Sequence, residues 1–103
     1  MADFMKILQQ AQEMQGRFQK LQEELQQQTV KASSGGGMVT VEANGQGTVK
    51  SIKIDPSIVN ASDVEMLEDL VLVAVTEAQK KAQESMQAEM GKLTGGLPFK
   101  LPF

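Results

Sequence analysis

The chain has 103 residues, 22% of them charged, and ten Lys or Arg against thirteen Asp or Glu leave a net charge of −3. It contains no Cys, His, Trp or Tyr, which removes thiol nucleophiles, imidazole bases, Ser-His triads and thiolate or imidazole zinc sites. Carboxylates, lysines and hydroxyls remain, but the thin elements described next leave little room for the pocket that an acid pair would need. No catalytic residue, no metal ligand, no cofactor and no small-molecule substrate is therefore expected. The length suits one domain. The longest apolar run, residues 70–75, falls far short of the roughly 18 residues of a membrane span. The start, Met1-Ala2-Asp3-Phe4-Met5-Lys6, places an acid ahead of the base and does not read as a secretory leader. A cysteine-free chain also fits the cytoplasm. The acidic balance, taken alone, argues against nucleic acid, where a basic footprint is the usual sign.

Residues 1–28 read as a long helix. Phe4, Ile7, Ala11, Met14, Phe18, Leu21 and Leu25 repeat at 3-4 spacing, an unbroken heptad stripe, which Leu8 widens at one end. Glutamines fill the opposite face, and Gly16 falls on the outward side. A coiled-coil-like partner helix and packing on the domain's own core are both open readings of the stripe.

Residues 29–55 change period. Val39, Val41 and Ala43 alternate with Met38, Thr40 and Glu42, the pattern of a strand. Asn44-Gly45-Gln46-Gly47 marks a tight hairpin, and a second strand runs to Ile54. Val49 is out of phase with Ile52 and Ile54, which predicts a bulge near Lys50-Ser51. A weaker strand at Val30 to Ser33 precedes Ser34-Gly35-Gly36-Gly37, so the middle is a three-stranded antiparallel meander. The three glycines are not followed by the Gly-Lys-Ser/Thr of a phosphate loop, and a flexible hairpin loop is the simpler reading.

A second long helix is predicted over residues 62–91. Ser62-Asp63-Val64-Glu65 reads as a capping box, with Ser62 as N-cap, and Gly91 reads as the C-cap. The acids Asp63, Glu65, Glu68 and Asp69 are accounted for by the helix dipole. Its first half is apolar nearly all round and is expected to be buried. Its second half narrows to Ala78, Ala82, Met86 and Met90, the thin stripe of an arm leaving the core. Residues 94–103 form a Pro- and Gly-containing tail with Leu97, Phe99, Leu101 and Phe103, read either as mobile or as a strap onto the partner or a groove.

Lengths argue for self-association. Helices of this size measure about 39 and 42 Å, whereas a seven-residue strand measures about 23 Å and three strands side by side about 14 Å. Both helices must overhang the sheet, and their apolar stripes continue into the overhang. The two arms can pair with each other. The broad half of the second helix and the sheet edge still need cover, which a two-fold homodimer provides with one self-complementary surface. Leu67, Leu70, Val71, Ala74, Val75 and Ala78 are the candidate dimer-interface residues.

The order of motifs resembles the YbaB/EbfC family of bacterial nucleoid-associated proteins. Met5-Lys6 through Ala11-Gln12-Glu13-Met14-Gln15, then Leu21-Gln22-Glu23-Glu24-Leu25, is similar to the family's first helix. Val39-Thr40-Val41 with Asn44-Gly45 resembles its hairpin, Ile52-Lys53-Ile54-Asp55-Pro56-Ser57 its "IDPS" turn, and Met66-Leu67-Glu68-Asp69-Leu70-Val71 its "MLEDLV" helix. The closing Leu-Pro-Phe is also family-like. The resemblance implies an α+β subunit of order α-β-β-β-α and a tweezer-shaped homodimer. It also implies binding of double-stranded DNA by projecting helices, in the cytoplasm and nucleoid, with an influence on nucleoid organisation and gene expression. Arg17 is the only arginine, and bidentate arginine is the commonest base reader. Contacts are therefore expected to be mainly to phosphate, with weak or relaxed sequence preference. Lys6, Arg17 and Lys20 on the first arm and Lys80, Lys81 and Lys92 on the second are inferred from the arms themselves. A reading of another class stays open: a protein-interaction adaptor or holdase that grips partners with the same arms, using Met14, Met86 and Met90 as an adaptable seam.

Overall fold

The computed structural model describes residues 2–94, and the tail from residue 95, with its two readings, lies outside the described residues. Helix α1 spans Ala2–Gln27, strands β1, β2 and β3 span Val30–Ser34, Val39–Ala43 and Val49–Ile54, and helix α2 spans Val64–Thr94. The sheet is an antiparallel meander in the order β1-β2-β3, as the hairpin signals predicted. The bulge falls where the phase of Val49 required it: Glu42 faces Ser51 but Ala43 faces Val49, so Lys50 is the extra residue. This restores Val49 to the face shared with Ile52 and Ile54.

That face carries α2, which lies over β1 and β2 and barely reaches β3. Val39, Val41 and Ala43 alternate as the buried positions of the central strand. Opposite them, Ala74, Ala78 and Ala82 are fully buried. Spaced by four, they form a stripe of small side chains that lets the helix settle closely on the sheet. The hairpin is held by Asn44, whose buried Oδ1 accepts from the N–H groups of Gln46 at 2.9 Å and Thr48 at 3.0 Å. The Ser34-to-Gly37 link is a tight turn in which all three glycines have positive φ, a region that costs other residues energy.

Three expectations need correction. The second helix does not run over residues 62–91. It starts at Val64 because Asp63 is its N-cap, with Oδ1 accepting from the Met66 N–H at 3.2 Å. The Ser62 hydroxyl instead donates to Asn60 Oδ1 at 2.7 Å. Nor does Gly91 cap the helix. It lies outside the set of positive-φ glycines, so it continues the helix to Thr94. The apolar first half of α2 is also not buried all round within this chain, because a single sheet covers one side only. Leu72 is 64% exposed and Val73 50%.

The molecule measures 73 × 25 × 16 Å, with a radius of gyration of 19.8 Å, against about 13 Å for a compact domain of this length. With 26 and 31 residues, the helices are about 39 and 46 Å long and supply that extension.

Candidate nucleic-acid interface

The arm is built where α1 meets α2. The Leu25 carbonyl, in the last turn of α1, accepts the Gln28 N–H at 3.2 Å and the Gly45 N–H at 2.7 Å, and the second bond ties the helix to the β2–β3 hairpin. The Gln28 amide exchanges hydrogen bonds with the Ser85 hydroxyl, at 3.0 and 3.2 Å. Leu21, Glu24, Leu25 and Gln28 then line a cleft with Glu89. One turn further out, Arg17, Lys20, Leu21 and Glu24 face Glu89, Lys92 and Leu93. As numbers fall along α1 they rise along α2, so the helices run antiparallel. Among the described residues α2 ends at this level, and further out along α1 Phe4, Ile7 and Leu8 are exposed.

The structure brings together three of the six cations inferred from sequence. Arg17, Lys20 and Lys92 share the outer cleft. Lys6 precedes Arg17 by eleven residues, and Lys81 precedes Lys92 by the same interval. Eleven residues are close to three helical turns, so each pair sits on one face of its helix, about 17 Å apart. The result is a row of three stations along the molecule: Lys81 over the body, the Arg17–Lys20–Lys92 group at mid-arm, and Lys6 near the tip. Lys81 Nζ donates to the Lys31 carbonyl at 2.9 Å, which fixes it above β1. Lys80, two residues past the buried Ala78, points away from the sheet and joins this row only at its margin.

The stations are not strongly basic. Glu24 and Glu89 line the mid-arm cleft beside the three cations, which leaves an excess of one positive charge. Glu89 Oε1 pairs with Lys92 Nζ at 3.4 Å, with the Lys92 side chain 76% exposed. An ion pair of this kind contributes little and is readily exchanged for a phosphate.

The dimer-interface candidates divide. Ala74 and Ala78 are fully buried against this chain's own sheet and have no surface left for a partner. Leu67, Leu70, Val71 and Val75 are half-buried. The apolar surface that is free lies on either side of them. Gln79 Nε2 donates to the Gly47 carbonyl at 3.2 Å, which marks the side of α2 turned towards the β2–β3 hairpin. Val75 and Leu72 lie four and seven residues earlier on that side. On the sheet, Ile52 and Ile54 of the edge strand also remain exposed, because α2 barely reaches β3. Leu72, Ile52 and Ile54 were absent from the candidate interface. Placing the Ala74-Ala78-Ala82 stripe against the sheet would have exposed Leu72 in the sequence, because it sits about 120° round the helix from the centre of that stripe.

A model of the YbaB/EbfC DNA-binding family matches residues 1–97. A protein named as nucleoid-associated from Gemmatimonas aurantiaca is 56% identical over 103 residues, covering 98% of this chain and 99% of its own length. One from Thermodesulfovibrio yellowstonii, with the same description, is 58% identical over 99 residues, covering 96% and 85%. Among solved structures, an uncharacterized protein from Helicobacter pylori superimposes with a TM-score of 0.81 at 26% identity, covering 89% of this chain and 97% of that one.

Proposed function

The chain belongs to the YbaB/EbfC DNA-binding family, and from that premise we propose that it is a nucleoid-associated homodimer that binds duplex DNA through phosphate contacts along its arms. The observation that carries this reading is the cation row. Its three stations are about 17 Å apart, half of the roughly 34 Å turn of a duplex, so an arm lying along DNA meets backbone at each. Lys6, Arg17, Lys20, Lys81 and Lys92 are the contacting groups, with Lys80 at the margin. The glutamates between them keep the attraction weak and local. A single arginine per protomer supports relaxed sequence preference rather than base reading. No catalytic step is assigned to the chain. The adaptor or holdase reading is not favoured, since the family description and the relatives' names point to DNA and the nucleoid. Among the described residues no helix is long and apolar enough to cross a membrane.

The homodimer rests on the free apolar face. Ile52 and Ile54 lie on the helix-bearing side of β3, beyond the reach of α2, and Leu72 of α2 is exposed as well. A second copy related by a two-fold axis sets its own α2 over this edge and receives the same cover in return. Exposed apolar side chains gathered at one place mark an association surface.

Fluorescence anisotropy with the full chain and two unrelated duplexes at low salt tests the DNA reading. Binding of both is expected, and the triple change Lys6→Ala, Arg17→Ala, Lys20→Ala should weaken both by the same factor. Absence of any complex at low salt overturns the reading.

A further inference from the structure

The apolar stripe of α1 outruns its cover. Leu21 and Leu25 are buried and share clefts with α2 residues. Leu93 lines the outer cleft together with Leu21 and Arg17, so α2 ends on the stripe itself, at mid-arm. Beyond that level Phe4 and Ile7 stand 64% and 62% exposed, with Leu8 and Ala11 between the same turns.

The chain supplies an occupant. Residues 95–103 follow Thr94, with Leu97, Phe99, Leu101 and Phe103 at every second position after Gly95-Gly96. Pro98 and Pro102 bar α2 from simply continuing over the stripe. From the level of Arg17 to Phe4 is thirteen residues of helix, about 20 Å, and nine residues reach about 30 Å at most. The tail is long enough to cover the bare stripe. Tethering also favours it over a second copy. A short linker holds its segment at an effective concentration in the millimolar range, well above that of a free chain in dilute solution.

We propose that residues 97–103 dock on the α1 stripe of the same chain, against Phe4, Ile7, Leu8 and Ala11, so that the outer arm is a helix with a strap. The inference does not depend on the DNA reading.

The absence of native cysteine makes the test clean. A nitroxide is attached to the Lys100→Cys chain, and amide signals are compared before and after its reduction. Signals of residues 4–11 should lose more than half their intensity in the oxidised state. When spin-labelled unenriched chains are mixed in denaturant with unlabelled nitrogen-15 chains and refolded together, that loss should vanish. No loss at residues 4–11 overturns the proposal. An equal loss in the mixed sample overturns it too, by assigning the tail to a second copy. As a second measurement, replacing Leu97, Phe99, Leu101 and Phe103 by Ser should speed amide exchange at residues 4–11 by about tenfold while the three strands stay protected. Unchanged exchange at those residues overturns the proposal.

Discussion

Replacing Gly45 by Ala adds one methyl group where the hairpin meets the end of α1. Built on the backbone, that methyl runs into Gln28 Oε1, at the movable end of a side chain, and lies 2.8 Å from Leu25 Cδ2 and 2.9 Å from the Leu25 carbonyl oxygen, all well inside van der Waals contact. Leu25 is 4% exposed and has little room to retreat. Relief must come from an off-rotamer Leu25, at about 0.5–1.5 kcal/mol. It must also come from lengthening of the 2.7 Å bond between Gly45 N–H and the Leu25 carbonyl, whose net worth is about 1 kcal/mol. The sum is a loss of about 1.5–2.5 kcal/mol, within the usual range for overpacking. At roughly 4–8 °C per kcal/mol for a domain of this size, the melting temperature falls by about 6–20 °C. The same change at Gly16 carries the opposite sign. A methyl there meets nothing within 4 Å, and Ala exceeds Gly by about 1 kcal/mol in a helix interior. Thermal unfolding followed by circular dichroism, at one fixed protein concentration because self-association would make the midpoint concentration-dependent, compares the two. Equal stability of Gly45→Ala and the parent, or shifts of the same sign in both variants, refutes the reasoning that the hairpin anchors the arm through this contact.

Three further outcomes are expected. Asp63→Ala removes the cap of α2 and should cost about 1 kcal/mol in urea unfolding, whereas Ser62→Ala, outside the cap, should cost clearly less. Asp55 is held below its ordinary pKa of 3.8, chiefly by the backbone N–H of Ser57 donating to its carboxylate. A folded-state pKa below the unfolded one contributes stability that is full above the unfolded value and lost as pH falls through the folded one. The stability of the parent should therefore decline below about pH 4 more steeply than that of Asp55→Asn, as urea midpoints at pH 7 and pH 3 will show. Leu72→Glu places a charge at an exposed apolar position of α2, in the face proposed to pair, and should raise the dimer dissociation constant by about tenfold or more, read by sedimentation. An unchanged constant moves the interface elsewhere.

Much of this molecule is legible in its sequence because its elements obey local rules. The alternation at Val39, Val41 and Ala43 gave the central strand, and the phase slip at Val49 gave the bulge at Lys50. What was not legible depends on which neighbour a residue meets. Ser62 and Asp63 are both good caps, and the choice falls to Asp63 because Asn60 engages the Ser62 hydroxyl. Gly91 looks like a stop, yet a glycine ends a helix only when the chain turns left-handed there. The run 70–75 looked wholly buried because composition cannot say that one sheet covers one side of a helix. Ala74 and Ala78 were assigned to a partner for the same reason, although small side chains spaced by four are what a helix needs to lie close on its own sheet. For the cations, sequence named six residues on two helices. It could not show that antiparallel packing sets Arg17 and Lys20 beside Lys92, with Glu24 and Glu89 among them.

On the proposed reading, DNA is held by phosphate contacts at stations along the arms. The direct test is the dependence of duplex affinity on salt, compared between the parent and the variant Arg17→Ala, Lys20→Ala, Lys92→Ala. Each phosphate contact contributes about 0.9 to the slope of log affinity against log salt. The variant's slope should be shallower by about 3 if one arm is engaged and about 5 if both are. An identical slope and an identical low-salt affinity in the two proteins would contradict the claim.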